Sequence, residues 1–525
     1  MYILITVLFL FLTALALVIL RAVRPNFRFA WLIAAGGAFL TWLSVILWQM
    51  FMPLTLDLPA WQPANLFKDT PIFFADRFSW PYALSLVSLV LALILTAVVR
   101  ADFPDQLGWA GTLTLTGLGM LAVLADNPLT LVLVWTAIDL AELVSQIISV
   151  EGEEASERVV AGFAARILGT GILLWAGMTS LSKGLPLDFH ATQPEVGMIL
   201  IVAASLRLGV FPLHLSYTSE TSLRRGYGTA LRLVSAASSL ILLARIPVQS
   251  SLSPFAPFLL ILVAVAAVYG GLLWMRSSDD LSGRPYWIIG MSSLAIASAL
   301  QGNPAGTVAW GVALILAGGA LFFSSAQNKI LNRVLLIIGM WSLSSLPFSL
   351  TASGWQSDPT ITWVTWITWP VLLAAQALLI SGFIRHALRP AVSTPLESQP
   401  IWSRNVYPFG IGVLLFTLTL LGLYGWDGAL TIGSPIAGLV VAAFTGVLYW
   451  LTPRLPWLNP IGVRSVQAEG QSSRLDSIYR ALWNIYRQAG HLSASFVSAL
   501  EGDGGILWAL LFLVLFISIL APRLP

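Results

Sequence analysis

The stretch PLTLVLVWTAIDLAELVSQII, residues 128–148, is apolar over nearly its whole length. A helix that crosses a bilayer needs about 20 such residues, so this segment reads as a span. It also carries two carboxylates, Asp139 and Glu142. They are three residues apart, which puts them on one face of a helix. A carboxylate inside a membrane is costly and marks a functional position by default. Three other predicted spans each hold one guanidinium away from their ends: Arg166, Arg207 and Arg232.

The rest of the chain has the same character. Of its 525 residues 57% are hydrophobic and 10% charged, with a mean hydropathy of +0.85. Soluble domains are about one-quarter charged. This composition excludes a soluble enzyme, a disordered chain and a nucleic-acid binder, and leaves an all-α polytopic membrane protein. There is no cysteine, which excludes disulfides, thiolate metal sites and iron–sulfur clusters on this chain alone. The four histidines, His190, His214, His386 and His491, show no metal-ligand spacing. No cofactor is expected.

Hydropathy predicts about sixteen spans: 3–20, 30–50, 80–99, 107–125, 128–148, 160–182, 196–213, 227–246, 254–274, 285–300, 305–325, 330–350, 363–385, 407–425, 433–451 and 504–521. The distribution of Arg and Lys tests this count, because cytoplasmic loops collect them. Odd-numbered loops carry 19 of these residues, Arg284 among them; even-numbered loops and the termini carry five. The asymmetry places both termini on the outer side of a membrane, expected to be the bacterial inner membrane. Residues 52–79 read as a long outer loop. Leu475–Leu500 reads either as an amphipathic helix on the membrane surface or as a linker helix over a neighbouring span.

At about 1.5 Å of rise per residue, depth can be compared between helices. Asp139 and Arg207 lie at one level, and so do Glu142 and Arg166. Two buried ion pairs are expected, and with Arg232 they read either as a proton or cation path or as structural locks between helices. Arginine keeps its proton under nearly all conditions, so it tunes a carboxylate rather than passing a proton on. Pro212, in the run Arg207-Leu-Gly-Val-Phe-Pro-Leu-His214, is expected to break its helix. Broken helices at membrane depth line ion sites, and His214 titrates near neutral pH. The alternative is a packing kink with a histidine at the interface. Pro347 predicts a second break, without a charge beside it. Residues 285–328 hold no charge at all, so the second half offers few proton stations.

Five stretches in order resemble the antiporter-like membrane subunits of respiratory complex I, and of the related multisubunit sodium/proton antiporters and membrane-bound hydrogenases. They are Phe74-Ala-Asp-Arg-Phe-Ser79, Asp126-Asn-Pro-Leu-Thr-Leu-Val-Leu-Val-Trp135, Arg207 to His214, Asp280-Leu281 with Arg284, and Leu343-Ser-Ser-Leu-Pro-Phe348. The likeness covers roughly residues 70–350, and the chain's tail is similar to that of the largest such subunit. The resemblance implies two inverted five-helix repeats, each with a broken helix. It divides the chain into an N-terminal segment 1–106, a first repeat 107–246, a second repeat 254–385 and C-terminal helices 386–525.

The resemblance also implies a glutamate after the tryptophan of the fifth helix, and lysines in helices seven, eight and eleven. A lysine or glutamate is implied in helix twelve. This chain departs at these positions. Thr136 follows Trp135, with Asp139 a turn further on; Arg207 replaces the first lysine; Leu233–Ala244 has no lysine or histidine. The eleventh-helix position is Gly318 or Gly319, and the twelfth falls near Trp355. The expected function is a membrane subunit of a complex-I-like or antiporter-type assembly, with translocation weakened or restricted to the first half. A non-conducting structural subunit and an unrelated solute transporter are the alternatives. The expected partners are other membrane subunits and the lipid bilayer, with no nucleic acid.

Overall fold

The computed structural model describes residues 2–25, 27, 29–58, 70–100, 103–149, 153–189, 192–214, 217, 225–355, 363–389, 395–452 and 454. Leu475–Leu500 and the predicted span 504–521 lie outside the described residues. The described residues form an all-α bundle with one small hairpin. Among them, eleven helices are long and apolar enough to cross a membrane. The chain is an integral membrane protein.

The helices at the periphery and centre differ in how much lipid-facing surface they keep. In α1 (Tyr2–Val23) and α2 (Ala30–Trp48), 33% and 28% of the best apolar window is buried. In α3 (Ser79–Thr96) 89% is buried. α4 (Gln106–Leu124), α5 (Pro128–Ser149), α6 (Glu153–Ser182) and α7 (Pro194–Arg207) follow. In α8 (Tyr227–Ala244) the buried share is 94%. Next come α9 (Ala256–Arg276), α10 (Asp280–Leu300) and α11 (Pro304–Phe323), the last buried over its whole window, at 100%. α12 (Lys329–Leu343), α13 (Trp363–Leu388), α14 (Ile401–Leu423) and α15 (Pro435–Leu451) complete the described bundle. α3, α8 and α11 are therefore its central posts, and α11 packs on both of the others.

Small residues let the helices approach closely, as expected where lipid supplies no hydrophobic drive between them. A Cβ on Gly270 of α9 would sit 2.6 Å from the backbone nitrogen of Gly290 on α10. A Cβ on Gly382 of α13 would sit 2.4 Å from the Trp274 ring of α9. Tryptophans tie helices together from inside. Trp80 Nε1 donates to the Val45 carbonyl at 2.8 Å, Trp274 Nε1 to that of Leu379 at 3.1 Å, and Trp287 Nε1 to that of Leu314 at 3.1 Å. Each indole pairs with a carbonyl on another helix, so these rings serve the interior rather than an interfacial belt.

Several boundaries differ from the hydropathy reading, each for a local reason. The span 196–213 ends as a helix at Arg207 and 330–350 ends at Leu343. Pro212 and Pro347 lie a few residues beyond each end, where the missing N–H blocks a further turn. The chain then turns through left-handed residues: Gly209 and His214 after α7, Ser345 and Phe348 after α12. α10 starts at Asp280, five residues ahead of the predicted 285. Asp279 accepts from the Leu281 and Ser282 N–H groups, and the Ser282 hydroxyl accepts from the Asp279 N–H. That capping box extends the helix to include Arg284.

The loop 52–79 contains an antiparallel hairpin, β1 (Leu54–Asp57) with β2 (Ile72–Ala75), in the register Leu54↔Ala75. β2 alternates, with Phe73 and Ala75 buried. The hairpin is fastened to the α4–α5 turn. Asp126 N–H donates to the Ile72 carbonyl at 3.0 Å, Ile72 N–H to Thr130 Oγ1 at 3.0 Å, and Asn127 Nδ2 to the Thr70 carbonyl at 2.8 Å.

Candidate functional site

Four helices bring the internal charges of the first half together. α5 supplies Asp139 and Glu142, α6 Arg166, α7 Arg207 and α8 Arg232; all five side chains are buried. α6 and α7 approach closely because residue 169 is glycine. A Cβ there would stand 2.8 Å from Arg207 Cγ and 2.9 Å from the Ala203 carbonyl. The Arg207 stem runs through that gap to α5.

Arg207 is saturated. Nη1 and Nη2 donate to the two carboxylate oxygens of Asp139 at 2.5 and 2.8 Å. Nη1 also reaches Thr170 Oγ1 at 3.0 Å, and Nε donates to Ser239 Oγ at 3.2 Å. The guanidinium lies over the Trp135 ring, 4.2 Å from its centroid. Trp135 is itself held by a 3.0 Å bond from Nε1 to the Ser238 carbonyl. A planar fork matched to a carboxylate and stacked on an indole is an arrangement that lysine cannot reproduce.

Glu142 is shared. Arg232 Nη1 donates to Oε1, Arg166 Nη1 contacts Oε2, and Gln146 Nε2 donates to Oε1 at 2.7 Å. The Arg232 guanidinium also lies 5.0 Å from the centre of the Tyr217 ring. Nearby, Tyr227 and Ser145 share a hydroxyl–hydroxyl bond of 3.1 Å. Two carboxylates thus stand among three guanidiniums, and the acid oxygens are occupied by cations. In a medium of low dielectric such pairs are strong.

His214 lies past the end of α7 against Tyr286 of α10, ring centres 5.2 Å apart. Pro347 lies in the other half, beyond α12, where neutral groups do the joining. Gln376 Nε2 donates to the Leu343 carbonyl at 2.7 Å and to Ser345 Oγ at 2.8 Å, and its Oε1 accepts from Trp355 Nε1 at 2.8 Å. Thr351 Oγ1 donates to the Ser342 carbonyl at 2.8 Å. The broken end of α12 is closed by amide and hydroxyl groups.

Three charged positions lie outside the buried pairs expected from the sequence. Arg284, counted above as a loop residue, is fully buried in α10, with Nη1 donating to Thr229 Oγ1 at 2.8 Å. The capping pattern Asp279-x-x-Ser282 was the available signal. Arg245 pairs with Asp126 at 2.5 Å beneath the hairpin. Arg225 grips Asp280 with bonds of 2.5 and 2.9 Å and also reaches the Phe322 carbonyl at 2.7 Å. Neither pair shares a helix, so spacing gave no hint.

No family model matches the chain, and no curated protein matches it in sequence. Solved structures do match in fold. One is a chain of the Mrp complex from Dietzia sp. DQ12-45-1b, at TM-score 0.70 and 16% identity, over 100% of this chain and 63% of that one. Another is a chain of the membrane-bound sulfane sulfur reductase, an archaeal respiratory membrane complex, at TM-score 0.66 and 14% identity, over 98% and 100% of the two chains. A third is a chain of respiratory complex I from Thermus thermophilus, at TM-score 0.61 and 17% identity, over 85% and 100%. The protein spans 63% of the length of the Mrp chain. At these identities the likeness establishes the fold alone, a polytopic helical fold shared with chains of these complexes.

Proposed function

We propose that this chain is a membrane subunit of a complex-I-like or Mrp-type assembly, in which proton or cation movement is weakened and confined to the first half. The repeats are 107–246 and 254–385, related by inversion, and the arginine-rich loops face the cytoplasm of a bacterial inner membrane. The observation that carries this reading is the contrast between two sites. The first half holds Asp139 and Glu142 at membrane depth. The corresponding break in the second half is joined through Gln376, Ser345 and Thr351. A proton wire needs titratable or hydrated stations, and a closed amide–hydroxyl network offers neither.

Reconstitution of the intact assembly tests this. Asp139→Asn and Glu142→Gln are each expected to abolish whatever flux the wild type shows. Unchanged flux in both variants removes the conducting role.

The engagement of both carboxylates favours a second reading, a structural subunit that conducts nothing. Asp139 is held by two nitrogens and Glu142 by three, and the guanidiniums around them do not release protons. In that case the same variants lose stability while assembly flux follows the amount of intact complex. The reading as an unrelated solute transporter gains no support from the fold.

A further inference from the structure

α9 and α13 run parallel and finish together, and their last turns carry Arg276 and Arg385. Arg389 reaches back from α13, donating to the Ser278 carbonyl through Nη1 and to that of Ser277 through Nη2 at 3.4 Å. His386 Nε2 lies 3.1 Å from both the Trp274 carbonyl and Ser277 Oγ. The corner is thus tightly built. Arg385 makes none of these bonds: its Nη1 and Nη2 are buried and have no hydrogen-bond partner among the described residues, and neither does Nε of Arg276.

Among the described residues, no acid pairs with either arginine. Asp279 is committed to capping α10, accepting from Leu281, Ser282 and Ser278. Asp280 is held bidentately by Arg225. Nor does Arg385 cap its own helix, because its guanidinium would then donate to the carbonyls of the last turn. A cation lacking a partner in a partly buried position is expensive, and an anion from outside removes the cost.

The surroundings say where that anion comes from. Two bilayer-spanning helices end here, on the side where arginine concentrates. Leu448 of α15 packs on Met275 and Leu378 beside them. Next along α15 are Tyr449 and Trp450, 67% and 58% exposed, with the Arg454 guanidinium stacked 3.8 Å over Trp450. Exposed Leu388 adds apolar surface at the end of α13. Aromatic rings and arginines around exposed aliphatic side chains mark headgroup depth.

We infer that Arg385 and Arg276 form a site for the phosphate of an anionic phospholipid headgroup, set between the ends of α9 and α13. The Arg385 stem is long enough to swing its guanidinium to the headgroup layer, as basic side chains near helix ends do. The phosphate takes the free Nη1 and Nη2 donors as a fork, and the acyl chains lie along the apolar surface.

The test is lipid retention. Full-length protein is extracted from nanodiscs of phosphatidylcholine doped with phosphatidylglycerol, and bound lipid is counted by native mass spectrometry. Wild type is expected to keep phosphatidylglycerol over phosphatidylcholine. Arg385→Gln and Arg276→Gln should each reduce that preference about fivefold, the equivalent of about 1 kcal/mol per basic residue near an anionic surface. Arg385→Lys should keep part of it. Loss in Arg276→Gln, with the elution profile unchanged, supports the site even if Arg385→Gln fails to fold. Equal retention in wild type and both Gln variants overturns it. Displacement of the lipid by millimolar inorganic phosphate, with phosphate bound in its place, also overturns it in favour of a soluble anion.

Discussion

Asp139 and Glu142 stand one turn apart on α5 but are held by different helices. Asp139 is gripped by Arg207 of α7, whereas Glu142 is divided between Arg166 of α6 and Arg232 of α8. α5 is therefore tied to three neighbours through two side chains, and the two attachments fail in different ways.

Asp139→Asn leaves Arg207 charged, buried and without its counter-ion. Breaking a buried pair from one side costs about 3–5 kcal/mol. The apparent Tm in detergent should fall sharply. Arg207→Leu added to Asp139→Asn should recover much of the loss, because the stranded charge is then removed. A double variant no more stable than Asp139→Asn alone contradicts the account.

Glu142 should behave asymmetrically. Arg232→Gln leaves the Arg166 contact in place and loses one charged hydrogen bond, a cost of about 1.5–3 kcal/mol. Glu142→Gln leaves two guanidiniums facing each other across a neutral amide and should cost more than either arginine substitution. Thermal unfolding of Arg166→Gln, Arg232→Gln and Glu142→Gln ranks them, and Glu142→Gln ranking mildest is the contrary result.

In the other half, Gln376→Leu should orphan Trp355 Nε1 and the Leu343 carbonyl together. Each buried group left unsatisfied costs about 1–3 kcal/mol. The local change should appear as a shift in Trp355 fluorescence and as faster hydrogen exchange after α12. If the exchange rates in residues 344–354 match wild type, Gln376 does not close this break.

Gly270→Val forces a branched side chain into backbone. The nearest atom to the first added carbon is Gly290 N at 2.6 Å, and a backbone atom cannot swing aside. Overpacking of this kind costs about 1–3 kcal/mol or more. Gly412, which has nothing within 4 Å of the corresponding position, should accept alanine without measurable change in yield or Tm. Equal behaviour at the two positions contradicts the packing described.

The fold was legible because a bilayer imposes so strict a rule on composition. Apolar length located most of the helices, and the ordered motifs from Phe74 to Phe348 pointed toward the group of solved structures whose fold the chain shares. Depth arithmetic set Asp139 level with Arg207, since rise per residue is constant along a helix. It was silent on Arg232, whose approach to Glu142 depends on how α8 is rotated, and rotation leaves no mark in residue spacing. Arg284 was misplaced for a different reason. A hydropathy window ends where charges begin, whereas the helix itself begins at its cap, Asp279. The Gln376 network escaped because amides and hydroxyls carry little weight on any hydropathy scale.

α11 touches no lipid in the finished molecule, yet its surface is as oily as that of helices that do, with a hydropathy of 1.9. Its final surroundings favour this, since a polar group on a central post needs a buried partner. Its route into place demands it as well: the segment emerges after α1 to α10 and before α12 to α15, and must rest in the bilayer until the later helices close around it. The greasiness of the innermost helix is thus also a record of biogenesis, and polar replacements there should be punished at insertion before they are felt in the folded state.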